Sequence, residues 1–145
     1  MPVELRNEQR AVRLDLRRLR RQAESLMAQV RRADSVLSLL LTDDRRMARL
    51  HLQWMGEEGP TDVMSFPGEE KGTLPGRSLS SPVLGDIVIS VQTAARRRPN
   101  DPAAEILRYL VHGLLHLTGH DHRSGPQRLR MNRRARQLQA KVRAA

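Results

Sequence analysis

The chain has 145 residues and a formal net charge of +10, and all of its 26 basic residues except Lys71 and Lys141 are arginine. That length makes one domain, able to bury ~68–70% of its unfolded surface, and no apolar run approaches the ~20 residues of a membrane span. With no cysteine a sulfur-rich structural metal site is excluded. The stretch MPVELRNEQR lacks the apolar segment of an export signal, so the expected compartment is the cytoplasm.

The arginine excess favours a polyanionic partner, held through phosphate contacts and counterion release. A genomic bias toward arginine codons is the bland account of the same excess. Trp54, Phe66 and Tyr109 are the only aromatic residues. Base-stacking modules need aromatic platforms, so any RNA contact is expected at backbone and shape.

In chain order, residues 2–6 read as a short first strand. From Val12 to Val30 the apolar residues Val12, Leu16, Leu19, Ala23, Leu26, Met27 and Val30 step by three and four, which predicts an amphipathic helix. Its outer face carries arginines, either solvated or phosphate-binding, and Arg17, Arg18 and Arg21 are the candidates for RNA contact. Val36 to Leu41 is a buried strand. Thr42-Asp43-Asp44 caps a second helix with Met47, Leu50 and Trp54 on one side and Gly56 at its end. Pro60 to Pro67 alternates between prolines, as an edge strand does. Residues 68–82, rich in Gly, Ser and Pro, predict a mobile loop.

Leu84 to Ser90 is the clearest strand, and Ser90 caps a short helix from Val91 to Arg98. Asp101-Pro102 starts a helix, cap then N1 proline. Its core face is Ile106, Leu107, Leu110, Val111, Leu114 and Leu115, with Glu105, Tyr109, His112 and His116 as an adjacent stripe. Met131, Ala135, Leu138 and Val142 mark a C-terminal helix with an arginine-rich outer side. No repeat and no second domain is visible, so residues 1–145 are expected to form a single domain.

Four of the five histidines fall between His112 and His122. His112 and His116 are four apart and share one helix face. Gly119 can end the helix in a left-handed conformation and let the chain return, bringing His122 to the other two. The pattern H-x3-H-x5-H is the ligand spacing of metzincin proteases, except that Gly113 stands where their glutamate base belongs. A three-histidine metal site on His112, His116 and His122 therefore fits, and a zincin peptidase does not. Three imidazoles leave a tetrahedral position open for water or substrate. His120 is either a fourth ligand, closing the site, or an outer neighbour of the ligands, the reading preferred here. Asp121 can orient an imidazole by accepting its free N–H. Imidazole donors suit zinc, nickel or copper.

Several separated segments agree with one family. The histidine block resembles the H-G-x-L-H-L-x-G-[YH]-D-H signature of the YbeY family. Pro60-Thr61-Asp62-Val63-Met64-Ser65-Phe66-Pro67 is similar to its P-T-D-V-L-S-F-P, and Leu84-Gly85-Asp86-Ile87 to its L-G-D-I. The resemblance covers residues 34–122 well and both ends loosely. It implies an α/β (α+β) fold, with a small mixed four-stranded sheet, packed helices and the three-histidine site at the end of a central helix. It also implies one Zn2+ per chain and a zinc-dependent endoribonuclease that matures rRNA, including the 16S 3′ end, and checks the small ribosomal subunit. Expected partners are rRNA and that subunit, with ribosomal proteins or an assembly GTPase, and no membrane. In three places the sequence departs from the family pattern. Met55 falls where L-N-x-x-[YF]-R places an arginine thought to face the site, and His51 replaces the asparagine. A third departure is the basic Asn132-Arg133-Arg134-Ala135-Arg136, in a helix that is usually acidic there.

The chemistry then has competing readings. In the first, a metal ion activates water or polarises a phosphoryl oxygen without a protein base, no catalytic side chain is assigned beyond the metal site, and Met55 weakens the activity. In the second, the chain is a ribosome-assembly factor with a mainly structural metal and little nuclease activity. A zinc hydrolase of peptides or small molecules accounts for the histidines but not for the charge.

Overall fold

The computed structural model describes residues 3–68, 82–120 and 123–144. Strands Val3–Asn7 (β1), Val36–Thr42 (β2), Val63–Pro67 (β3) and Val83–Ser90 (β4) form a sheet in the order β1-β2-β4-β3. The helices are Leu16–Gln29 (α1), Asp44–Met55 (α2), Val91–Arg97 (α3), Pro102–Leu117 (α4) and Gly125–Ala144 (α5). β1, β2 and β4 run parallel, and β3 is antiparallel to β4. The mixed four-stranded α/β architecture expected from the resemblance is thus present, with β3 at an edge, where its last residue, Pro67, is tolerated.

Alternation along the strands divides the core in two. Leu37, Leu39 and Leu41 of β2 are on one face with Ile87 and Ile89 of β4, and they pack with α1, α4 and α5 in the main cluster. The opposite face carries Met64 and Val88, which pack with Met47 of α2 and with Leu40, Leu50 and Phe66. The four apolar positions expected on the C-terminal helix, Met131, Ala135, Leu138 and Val142, are all buried in the main cluster.

Two elements differ from the sequence pattern. The first helix begins at Leu16 rather than Val12. Gln9 accepts from the Val12 backbone N–H and donates to its carbonyl, both at 2.9 Å, which holds that segment in a local turn. Asp15 then caps the helix by accepting from the Arg18 backbone N–H at 3.0 Å, so side chain–backbone bonding overrides the periodicity. On α2 the apolar side stops at Leu50. Trp54 is 60% exposed, in edge contact with Phe66 at a centroid separation of 5.7 Å. The expected mobile loop at 68–82 falls, for residues 69–81, outside the described residues.

Asp44 ties α2 to the β4–α3 junction. Its carboxylate accepts from Ser90 Oγ at 2.6 Å and Thr93 Oγ1 at 2.7 Å, and pairs with Arg96. Burial acts to raise its pKa, but the hydrogen bonds from Ser90, Arg96 and Thr93 outweigh burial and lower it from 3.8. A depressed carboxylate stabilises the fold fully above its unfolded value and loses that contribution as the pH falls through the folded value. Asp44→Asn is therefore expected to cost about 2 kcal/mol at neutral pH, the scale of hydrogen bonds to a charged group. In urea titrations the gap to wild type should shrink as the pH drops below 3.8. A gap of constant size down to strong acid would contradict this account of Asp44.

Candidate metal centre and active-site cavity

The central helix α4 starts where Asp101 accepts from the Ala104 backbone N–H at 3.1 Å, with Pro102 in the first turn. Ile106, Leu107, Leu110, Val111, Leu114 and Leu115 are buried, as the spacing predicts. At its far end Gly119 has φ +99°. The Gly119 N–H donates to the His116 carbonyl at 3.2 Å and the His120 N–H to the Leu115 carbonyl at 2.9 Å. That pair of bonds is the Schellman arrangement, which needs a left-handed residue where Gly119 stands. The turn expected after the second histidine is therefore formed. Asp121 and His122 lie outside the described residues, and among the described residues no three His, Asp or Glu side chains gather closely enough to hold a metal.

His112 and His116 line one cavity of about 370 Å³. α4 also contributes Arg108, Tyr109 and Gly113, the edge-strand segment contributes Asp62, Val63, Met64 and Ser65, and Met55 closes the cavity from the end of α2. Ser65 and Val63 pair with Ile87 and Ile89 and so share the sheet face on which α4 packs. Met55 is 52% exposed. The position where the resemblance implies an arginine thus borders the cavity, as an apolar rim.

Glycine governs how closely α4 approaches the sheet. A Cβ on Gly113 would stand 3.1 Å from both Cδ1 and Cγ2 of Ile87. A side chain beside His112 would be tight against Ile87, which would have to give by a few tenths of an ångström to admit it. A Cβ on Gly85 would meet the Phe66 carbonyl and the Leu117 Cδ2, the latter at 2.8 Å. The glycines of the H-G and L-G-D-I blocks therefore hold helix, β4 and β3 together.

Two ion pairs frame the cavity. Asp62 accepts from Arg97 Nη1 and from the Val63 N–H, each at 2.7 Å. Burial acts to raise the Asp62 pKa, and these bonds outweigh it, so the pKa is lowered. Glu105 accepts from Arg108 Nη2 at 2.7 Å and from its Nε at 3.2 Å. The bond from Arg108 lowers the Glu105 pKa against the effect of burial. Arg97 also donates to the Tyr109 hydroxyl at 3.2 Å, and burial pushes that phenol up. Asp62, Ser65 and Arg108 were not singled out from the sequence as site residues. The P-T-D-V block held the first two, and the one-turn spacing of Arg108 from His112 was the signal for the third.

Other candidates lie elsewhere. His120 lines a separate groove with Arg31, Arg32, Thr118 and Arg134 rather than the cavity of His112 and His116. His51 serves the loop after α2: its Nδ1 is 2.8 Å from the Gly59 carbonyl and its Nε2 3.2 Å from Glu57. Arg17, Arg18 and Arg21 are exposed on α1, and Arg18 borders another groove with Gln22, Arg98 and Asp101.

A family model described as Endoribonuclease YbeY matches residues 4–143. An endoribonuclease YbeY of Anaeromyxobacter sp. (strain Fw109-5) is 45% identical over 141 residues, spanning 95% of this chain and 70% of the relative. That of Syntrophus aciditrophicus is 40% identical over 125 residues, spanning 84% and 76%. The solution structure of a Thermotoga maritima protein superposes with a TM-score of 0.59, covering 98% of this chain and 92% of that one, at 22% identity; this last likeness bears on the fold alone. The glycine-held helix, the edge strand with its aspartate and the histidine stripe all fall inside the matched span, and the chain belongs to the YbeY family of endoribonucleases.

Proposed function

We propose that this protein is a zinc-dependent endoribonuclease of rRNA processing, acting on 16S rRNA 3′ ends and on the quality of the small ribosomal subunit. The observation that carries the reading is that His112 and His116 line one cavity with Asp62, Ser65 and Arg108, and that a glycine turn is formed after His116. The donor set fits zinc: imidazoles from His112, His116 and His122 supply three borderline ligands and leave a fourth position open. When bound, such an ion supplies Lewis acidity and a water of lowered pKa.

The chain's own residues do the rest. Gly113 supplies no carboxylate, so the nucleophile, water or the RNA's own 2′-hydroxyl, has no protein base beside His112. The ion pair of Asp62 with Arg97 fixes the start of the edge strand and with it the cavity wall. The arginine-rich surface, including Arg17, Arg18 and Arg21, positions the RNA backbone. Residues 1–145 act as one domain, with the small subunit as partner and the cytoplasm as compartment. Among the described residues no helix is long and apolar enough to cross a membrane. A second reading, an assembly factor with a structural metal, draws on Met55 at the cavity rim. It differs in one respect: it requires RNA binding without metal-dependent cleavage of single-stranded rRNA by RNase-free protein.

Purified protein should carry about one equivalent of zinc, and His112→Ala or His116→Ala should each lose most of it. Gly119→Val should weaken binding too, because a β-branched residue resists positive φ. Elemental analysis showing full metal retention in both histidine variants would refute the site.

RNA affinity should fall steeply with salt and show little base preference, as expected for backbone-led recognition. Charge reversal at Arg17, Arg18 and Arg21 is expected to lower affinity and flatten that dependence. Unchanged RNA and ribosome binding in the triple variant would make this face merely solvated.

A further inference from the structure

The cavity of His112 and His116 carries a cation on the same helix. Arg108 precedes His112 by four residues, as His112 precedes His116, so the three side chains leave one stripe of α4 at steps of roughly 6 Å. All three line the cavity, and Arg108 is the only arginine or lysine among the described lining residues. Its guanidinium is held in place. Glu105 accepts from both Nε and Nη2, and the guanidinium carbon lies 5.3 Å from the Tyr109 ring centroid, within cation–π range. The Glu105 side chain is 8% exposed and that of Arg108 43%. The pair is therefore buried at its acidic end and open at its basic end.

We propose that Arg108 grips an RNA phosphate seated in this cavity, supplying from α4 the positive charge that Met55 does not. The proposal rests on the endoribonuclease reading above. A phosphodiester offers two unesterified oxygens, a match for a planar fork of N–H donors. Glu105 engages two of the five guanidinium N–H groups, which leaves three for another acceptor. Pairing with Glu105 also raises the Arg108 pKa, so the charge persists at any working pH. The other cation near the Tyr109 ring, Arg97, is engaged by Asp62 and the Tyr109 hydroxyl and does not line the cavity. Arg49 is exposed on α2 and does not line it either.

The test compares wild type, Arg108→Gln, Arg108→Lys and Arg49→Gln, each loaded with zinc, on one defined single-stranded RNA. Binding is measured across a salt series and cleavage in single turnovers at saturating RNA. Metal content and urea midpoint are measured alongside, so that a folding defect is recognised. Arg108→Gln should lower the slope of log affinity against log salt by about 0.7, the value of one phosphate contact to a single strand. It should slow cleavage by about 10²-fold, the scale of a lost donor to developing charge. Arg108→Lys should keep the slope, and Arg49→Gln should cleave as wild type does. An unchanged slope in Arg108→Gln, cleavage within threefold of wild type, or an equal cleavage loss in Arg49→Gln would overturn the proposal. If wild type binds RNA but does not cleave it, the nuclease reading fails separately, and the slope alone decides whether Arg108 holds phosphate.

Discussion

The contact on which the site depends is the close approach of α4 to the sheet at Gly113 and Gly85. Gly113 lets the helix lie against the Ile87 side chain, and Gly85 admits the Leu117 side chain and the Phe66 carbonyl. Because interiors are packed at crystal-like density, an extra methyl group at Gly85 must displace strand or helix, and one at Gly113 must press on the Ile87 side chain. The same approach sets the depth of His112 and His116, which flank Gly113 on α4. Ligand spacing along the helix is a property of sequence, but the position of that stripe over the edge strand follows from these two glycines.

A second layer of constraint is ionic. Arg97 joins Asp62, at the entry to β3, to the hydroxyl of Tyr109 on α4. Arg108, paired with Glu105, lies over the same ring. Among the described residues the antiparallel edge strand is bonded to the sheet only through β4, so its entry is fixed by this side-chain network. That explains why an aspartate belongs in the P-T-D-V block. Its carboxylate spans from the strand's first backbone N–H to a cation on α3, a role that no apolar residue fills.

Much of the fold was legible because local chemistry and tertiary packing agree. The Asp101-Pro102 start, the apolar stripe of α4 and the Gly119 turn are all set by residues close in sequence. The start of α1 was not legible from periodicity, because the Gln9 amide satisfies the Val12 backbone and competes with the helix. Trp54 kept the helical spacing of a core residue, yet the second core ends at Leu50 and leaves the indole outside. At the site, the histidine stripe was readable as i, i+4 spacing. The contributions of Asp62 and Arg108 depend on which elements meet across the sheet, which a single sequence encodes only indirectly.

A cation on α4 rather than at the position of Met55 also has a geometric side. Met55 is the last residue of α2, half-exposed and followed by Gly56 at φ +68° and Gly59 at φ +84°. A long side chain there would start from a helix end beside a glycine-rich turn and lose much rotamer freedom on engaging a ligand. Arg108 starts from the interior of α4, braced by a buried carboxylate and an aromatic ring. It stands at a fixed one-turn step from His112. A cation so placed is organised before substrate arrives, and preorganised charge stabilises a developing anion without reorganisation at the moment of reaction. With Met55 at the end of α2, the rim has no positive charge there, and the charge of Arg108 shares a rigid frame with the histidines.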